Sequence, residues 1–534
     1  MIPKKITTTL VLSAVLLGQA CNVNRPTSEV RRSPGSEVIY HVVQRSFYDS
    51  NGDLHGDLKG LTEKLDYLQD LGITSILLLP LYQSVFYHNY FAGNFEKIDP
   101  KFGSMEDYLT LVKSVHQRGM KIYMDMETQY VTEDHLWYKD AYQNPKSEYS
   151  DYLVFNGPGN TKPEPIVYNL DKLEGYNKTV RKITTVNLNS KKVLEYNYTL
   201  FHHWMDPNHD GKFDDGVDGF RLDHMMDDLD LKGKFKDLFT KFWSPMISRL
   251  KQINPKLIII AEQANWGSFG AEYFAKGGVD RVFAFRLMMA IATFNKNKIA
   301  LMADSTFLLT PKNKQQIVFL ENHDTKRFSS AVSQDPGKLR VGAALNLLLG
   351  GIPAIYYGQE LGMTGSGGFG KFGNSDGNDI PQREAFRWYK EVEGKGMALW
   401  YKDTGPWWDQ TSLKSNDGVS LEEQQNDPSS LWNFYKKMIA FRESQPLLIS
   451  GAYQTLKNDN DNVLSFLRYE NDQGIVVVVN LSDANQTVNV DLSRIKVSPD
   501  TGSDQLWGDA KATVSANILS TDLKGYGIAV WRMR

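Results

Sequence analysis

The 534 residues carry 60 basic and 63 acidic side chains, interspersed rather than gathered into long runs, for a formal net charge of −3. That distribution builds no phosphate-tracking face, so nucleic acid is not an expected partner, and the length favours one large domain with one or two smaller units around a sizeable core. Aromatic residues make up 12% of the chain, and the single cysteine excludes an internal disulfide.

In chain order, Lys4 and Lys5 precede an apolar run at 10–17 and then Gly18-Gln19-Ala20-Cys21. This is the pattern of an export signal, and it is too short to span a membrane as a mature helix. A signal peptide is expected over 1–21. Cys21 sits where a bacterial lipoprotein carries its lipid anchor, although Gly18-x-Ala20 equally suits ordinary cleavage. Either way the protein is expected outside the cytoplasm, periplasmic or held at the outer membrane of a Gram-negative bacterium. Residues 22–36, rich in Arg, Ser, Pro and Asn, read as a linker.

From residue 38 on, short apolar or β-branched runs alternate with longer amphipathic stretches, at 38–43, 73–80, 121–126, 219–223, 257–262, 281–285, 317–322 and 354–358. Eight such runs predict an α/β fold, a (β/α)8 TIM barrel, over 37–445. The interval 127–215 is too long for one crossover helix and predicts a small inserted domain after the third strand. Beyond a helical stretch at 431–442, strand-like runs at 463–468, 474–479, 487–490 and 525–531 predict a C-terminal β-sandwich over 446–534.

In a barrel of this kind the chemistry lies at the C-terminal ends of the strands. Reading those ends gives Asp125 after strand three, Arg221 and Asp223 on strand four, Glu262 on strand five, and His323 with Asp324 after strand seven. One acidic strand end is usually a cap or a loop residue, but four on one rim argue for a site. Asp223 and Glu262, on adjacent strands, supply the close carboxyl pair that glycoside hydrolysis with retention requires.

The motifs resemble those of the α-amylase family, glycoside hydrolase family 13, over nearly the whole chain after the leader. Gly219-Phe220-Arg221-Leu222-Asp223 is similar to that family's nucleophile strand, Ile260-Ala261-Glu262 to its acid/base strand, and Phe319-Leu320-Glu321-Asn322-His323-Asp324 to the strand bearing its third carboxylate. Val186-Asn187-Leu188-Asn189 is similar to the short motif of its inserted domain. The resemblance implies Asp223 as nucleophile, Glu262 as general acid/base, Asp324 as the third catalytic carboxylate, holding sugar hydroxyls and tuning the transition state, and His323 as a hydrogen bonder to the same sugar. It further implies Arg221 as partner of the nucleophile and Tyr90 as the aromatic beneath the reacting glucose. The substrate so implied is an α-glucan or maltooligosaccharide, α-1,4-linked. Transfer to a sugar acceptor, action on short oligosaccharides of other α linkage, and an inactive glucan-binding protein stand as alternatives.

Departures from the pattern sharpen this. The family's Asn-His after the third strand is replaced in Asp125-Met126-Glu127-Thr128-Gln129-Tyr130, which leaves Tyr130 as a substitute hydrogen bonder. Met226 and Asp227 stand where many relatives place Lys and His on the leaving-group side. Asp49, Asn51, Asp53, His55 and Asp57 space oxygen donors as a calcium ion requires and resemble a metal loop of oligosaccharide-cleaving members, with His55 offering its carbonyl. Asp206, Asn208, Asp210 and Asp214 follow the first part of a helix-loop-helix calcium loop, but Val217 replaces its terminal Glu, so a plain polar turn is an equal reading. Calcium is thus the expected cofactor, in a structural role. Trp388, Trp400, Trp407 and Trp408 follow the eighth strand and are candidates for stacking on outer sugars.

Overall fold

The computed structural model describes residues 36–493 and 503–533. The expected signal peptide, Cys21 and nearly all of the linker lie outside the described residues. Eight parallel strands close into a barrel: β1 Ile39–Val42, β2 Ser75–Leu78, β3 Lys121–Met126, β4 Gly219–Met225, β5 Ile258–Gln263, β6 Arg281–Phe283, β7 Gln315–Val318 and β8 Ile352–Tyr356. Each pairs with the next in sequence, and β8 pairs with β1. The strands are buried almost throughout, which is why they read as apolar runs without polar alternation. Some ends differ from expectation. β6 stops at Phe283 because Phe285 already opens the helix Phe285–Ile291, while β7 and β8 each begin two residues earlier than the pattern suggested.

The barrel interior is layered. At its N-terminal end the Glu37 carboxyl accepts hydrogen bonds from both Arg281 Nη atoms at 3.0 and 2.8 Å, from Ser75 Oγ at 2.8 Å and from the Tyr123 hydroxyl at 2.7 Å. Above it lies an apolar layer that includes Ile39, Leu77, Ile260, Phe283, Ile317 and Ile352. The same two-residue period carries the inward faces of β3, β4 and β5 on to Asp125, to Arg221 and Asp223, and to Glu262.

Of the expected insertion at 127–215, the part up to residue 190 forms a separate three-stranded sheet of Tyr130–Thr132, Val180–Thr185 and Lys172–Glu174. The helix Lys191–Met205 instead packs on the helix Ser244–Ile253 that follows β4, so it belongs to the barrel's outer ring. After the helix Leu431–Glu443 the chain forms two antiparallel sheets. Their strands are β9 Ala452–Thr455, β10 Val463–Glu470, β11 Gln473–Asn480, β12 Gln486–Asp491, β13 Ser503–Trp507, β14 Ala512–Ser515, β15 Ile518–Leu523 and β16 Ile528–Met533. One sheet has the order β9-β10-β11-β16-β13 and the other β12-β15-β14. In β11, Val476 and Val478 enter the sandwich core with Val488 and Leu519, whereas Ile475, Val477 and Val479 join the large core around the barrel. One strand thus glues the sandwich together and seats it on the catalytic domain, which explains its unbroken apolar run.

The Glu37–Arg281 pair yields a stability prediction. Burial works against the charge on Glu37, but Arg281 and the hydrogen bonds around it hold the carboxyl down at about 2. A folded-state value below the unfolded one gives stability that is complete above the ordinary carboxylate range and is lost as pH falls towards the folded value. Glu37→Gln should therefore cost about 3–5 kcal/mol at neutral pH, because Arg281 is left buried without a counter-charge, and the difference from wild type should shrink below about pH 4. Denaturant titrations at several pH values measure this; a cost under about 1 kcal/mol at pH 7 would contradict it.

Candidate active site

β4 and β5 are built to approach closely. A Cβ on Gly219, at the start of β4, would lie 2.1 Å from the Ile258 carbonyl oxygen, so only glycine allows this pairing. Higher up, Leu222 pairs with Ala261 but Met225 pairs with Gln263, so β4 carries one extra residue. His224 takes up the bulge with φ 45°, and its N–H donates to Glu262 Oε2 at 3.1 Å. Such a bulge re-aims the side chains beside it, here Asp223 and Glu262.

Arg221 lies beneath both carboxyls. Its Nη1 donates to Asp125 Oδ2 and, at 2.5 Å, to Asp223 Oδ1, while Nη2 lies 3.1 Å from Glu262 Oε2 at an angle too poor for a hydrogen bond. Three carboxyls share one guanidinium and cannot all be ionised at ordinary cost. Burial would raise Asp223, but Arg221 and hydrogen bonds to its carboxylate hold it below its usual value. Glu262 moves the other way: burial raises it, Arg221 opposes, and the negative charge of Asp223 adds to the rise. Asp125, fully buried, is raised as well, chiefly by desolvation. The indole of Trp266, stacked on Phe285, donates to Glu262 Oε1 at 3.2 Å and fixes its rotamer. Although burial disfavours the imidazolium, Asp230, Asp223 and Glu262 hold His224 above its usual value.

The opposite wall comes from the segment after β7 and the loop after β8. His323 Nε2 lies 2.7 Å from the Tyr90 hydroxyl and 3.1 Å from Asp324 Oδ2, and the Tyr90 ring stacks on the imidazole at 5.5 Å. Tyr90 also donates to Asp125 Oδ2 at 2.8 Å. Burial, with the nearby cations, keeps His323 neutral. Arg383 donates to Asp324 Oδ1 at 3.0 Å, to the His323 carbonyl at 2.8 Å and to the Tyr87 hydroxyl at 2.9 Å. Asp324 keeps part of its side chain open to the cavity, yet desolvation lifts it to about 7 against the pull of Arg383.

These groups line a cavity of about 370 Å³ whose floor carries Asp223, Glu262, His323 and Asp324. Its mouth is apolar, with Ile166, Val167 and Leu170 from the inserted domain. Tyr168 and Phe369, 78% and 74% exposed, meet there across the opening with ring centroids 5.8 Å apart. A larger open groove of about 550 Å³ beside Tyr67, Trp388 and Trp432 contains none of the carboxyls clustered around Arg221, so volume does not select the site.

The structure thus gathers Asp223, Glu262, Asp324, His323, Tyr90 and Tyr130 around one cavity. Asp125 and Arg221, candidates for substrate binding, are buried beneath it, where Arg221 bonds Asp125 and Asp223 and Asp125 accepts from Tyr90. Tyr130 lines the cavity, but its hydroxyl is tied to Asp230. Trp388, Trp400 and Trp407 are buried, with Trp388 and Trp400 donating to Phe47 O and Ser46 Oγ, so three of the four expected stacking residues are core. The sequence reading assigned no role to Arg383, Trp266, Tyr168, Phe369 or Glu127. Of these only Glu127 carried a signal, an acid inside the motif after β3.

Both expected calcium loops are braced by hydrogen bonds of their own. Asp49 accepts from the Asn51, Gly52 and Leu54 amides, and Asn51 from Asp53 N. Asp53 accepts from the His55 amide and pairs with Lys101 at 3.1 Å, while Asp57 caps the helix Leu58–Glu63 through Gly60 N. In the second loop Asp206 accepts from the Asp210 and Gly211 amides, Asn208 from Asp210 N, and Asp210 pairs with Lys212; Asp214 offers its carbonyl to His116. Among the described residues the acidic and imidazole donors close enough to share one ion are Asp125, Asp223 and His323, and Arg221 already bonds the first two.

Residues 41–451 match the family model described as alpha amylase, catalytic domain, and residues 453–530 match the maltogenic amylase C-terminal domain. The chain is 30% identical over 464 residues to alpha-amylase 3 of Dictyoglomus thermophilum, covering 85% of this chain and 86% of that protein. It is 26% identical over 520 residues to an oligo-1,6-glucosidase of Parageobacillus thermoglucosidasius, covering 84% and 90% respectively. Among solved structures, an alpha-amylase from H. orenii superposes with a TM-score of 0.76 at 27% identity, over 93% of this chain and 99% of that one.

Proposed function

Since this chain belongs to the α-amylase family of glycosidases, we propose that it hydrolyses short α-1,4-linked glucose oligosaccharides with retention, through a glycosyl ester on Asp223. The observation that carries this reading is the sharing of Arg221 by Asp223 and Glu262. One guanidinium holds the two carboxyls as a close pair, the arrangement of double displacement; inversion needs roughly 6.5–9.5 Å between them to seat a water.

Asp223, kept ionised by Arg221, attacks the anomeric carbon as the bond to the glycosidic oxygen breaks, and Glu262 gives its proton to that oxygen. Water then attacks the same carbon, Glu262 takes its proton, and the ester bond to Asp223 breaks. A sugar hydroxyl in place of water gives transfer by the same route. Asp324, raised to about 7, and His323 stand where they hydrogen-bond the hydroxyls of the reacting glucose, with Arg383 fixing Asp324. The ring of Tyr90 offers an apolar face to it.

The preference for short chains follows from the leaving-group side. Asp227 accepts from the Phe239 amide at 2.8 Å and Met226 offers its carbonyl to Trp243, so both support the turn and neither lines the cavity. Grip on sugars beyond the reacting one is left to apolar faces, above all Tyr168 and Phe369.

Two outcomes are expected. Asp223→Ala and Glu262→Gln should each remain folded and lose at least about a thousandfold in kcat, because each removes one half of the double displacement. Azide should rescue Asp223→Gly with formation of the inverted glycosyl azide. Near-normal turnover in a folded Asp223→Ala would sink the assignment. Separately, Tyr168→Ala and Phe369→Ala should raise KM for maltoheptaose by roughly two- to tenfold each, the worth of one aromatic contact, and leave turnover of an aryl α-glucoside little changed. Equal losses on both substrates would place these rings outside substrate binding.

A further inference from the structure

The segment after β3 holds a buried acid that the mechanism has not used. Glu127 lines the cavity floor beside Asp223 and is 2% exposed. Its backbone is pinned on both sides by Tyr82, whose hydroxyl donates to the Glu127 carbonyl at 2.8 Å and accepts from its amide at 3.0 Å. Glu127 Oε1 accepts from the Gln129 amide at 2.8 Å, and Gln129 Nε2 in turn donates to the Asp223 carbonyl at 2.7 Å. The segment is therefore stitched to the end of the nucleophile strand, with the two carboxyl groups in hydrogen-bond contact.

Charge decides what that contact is. Arg221 spends Nη1 on Asp125 and Asp223 and turns Nη2 to Glu262, while Arg383 serves Asp324. Among the described residues no Lys, Arg or His pairs with Glu127. The charged groups that act on it are Asp223 and Asp230, both acids; Tyr82 and Gln129 hold it by hydrogen bonds, and His224 is engaged by Asp230. Two carboxylates in contact without an intervening cation cannot both ionise, and one proton between them makes a short, strong hydrogen bond. Since Asp223 has Arg221 and Glu127 has no cation, the proton resides on Glu127.

We propose that Glu127 is a positioning residue for the nucleophile: as a carboxylic acid it donates its O–H to Asp223, leaving the other oxygen to Arg221. This rests on Asp223 being the nucleophile. Burial and the charge of Asp223 hold Glu127 well above the usual carboxylate range, in keeping with that role. The bond does two things. It keeps Asp223 ionised at lower pH than Arg221 alone would, and it fixes the plane of the attacking carboxylate.

The test is the pH dependence of kcat/KM for E127Q and E127A on an aryl α-glucoside, with melting temperatures to establish folding. Removing the donor should raise the pKa of Asp223, so E127A should move the acidic limb up by about one pH unit, the worth of one hydrogen bond to a charged group. E127Q, whose amide still donates, should keep the limb within a few tenths of a unit. If E127A does not fold, E127L fills the same space without a donor and is read in the same way. An unmoved limb in the variants lacking a donor, or an equal movement in E127Q, would overturn the proposal. A folded Asp223→Ala with normal turnover would instead overturn the assignment on which it rests.

Discussion

One buried guanidinium organises this active site. Arg221 projects from the inward face of β4 into the top of a barrel whose middle layer is apolar, where a single positive charge is costly unless carboxylates meet it. It meets three, on three adjacent strands. Asp125 anchors it from β3, Asp223 takes its charge from the same strand, and Glu262 receives what is left across the bulge at His224. Gly219 and that bulge exist, in physical terms, to bring β4 and β5 close enough for this sharing.

The opposed roles proposed for Asp223 and Glu262 follow from unequal access to that charge. Both are buried and would be raised by desolvation alone. Asp223, bonded to Nη1, is held below its usual value and suits the proposed nucleophile, whereas Glu262 faces Nη2 at a poor angle, feels the charge of Asp223 and is raised, as the proposed acid requires. Separating the protonation states of neighbouring acids by environment is how one site supplies a nucleophile and an acid at the same pH. Asp324 repeats the logic on the other wall, with Arg383 in the part of Arg221 but weaker against burial.

Much of this was legible in the sequence, for physical reasons. Strands buried on both faces leave apolar runs, and the barrel rule that chemistry sits at their C-terminal ends picks out Asp125, Arg221, Asp223, Glu262, His323 and Asp324 without further information. Half-exposed strands such as β13 and β14 leave no comparable run and were not anticipated. Arg383, Tyr168 and Phe369 sit on irregular loops, where no period marks a position as facing the cavity. Trp388, Trp400 and Trp407 misled because tryptophan suits a core as well as a sugar, and here its N–H groups find partners inside. In the oxygen-rich loops, Asp and Asn at alternate positions accept from turn amides with the same spacing that ligates a cation. Glu127 was in plain view, but its meaning depends on a contact with Asp223 that only the fold brings about.

The central claim is that Asp223, held by Arg221, becomes covalently attached to sugar during turnover. The most direct measurement is to trap that ester with an activated fluoroglucosyl fluoride and locate the label by peptide mass spectrometry. The account predicts one added fluoroglucosyl unit per protein, on the peptide containing Asp223, and none in the Asp223→Ala variant. A label on Glu127, Glu262 or Asp324, or turnover of the reagent with inversion and no trapped ester, would contradict it.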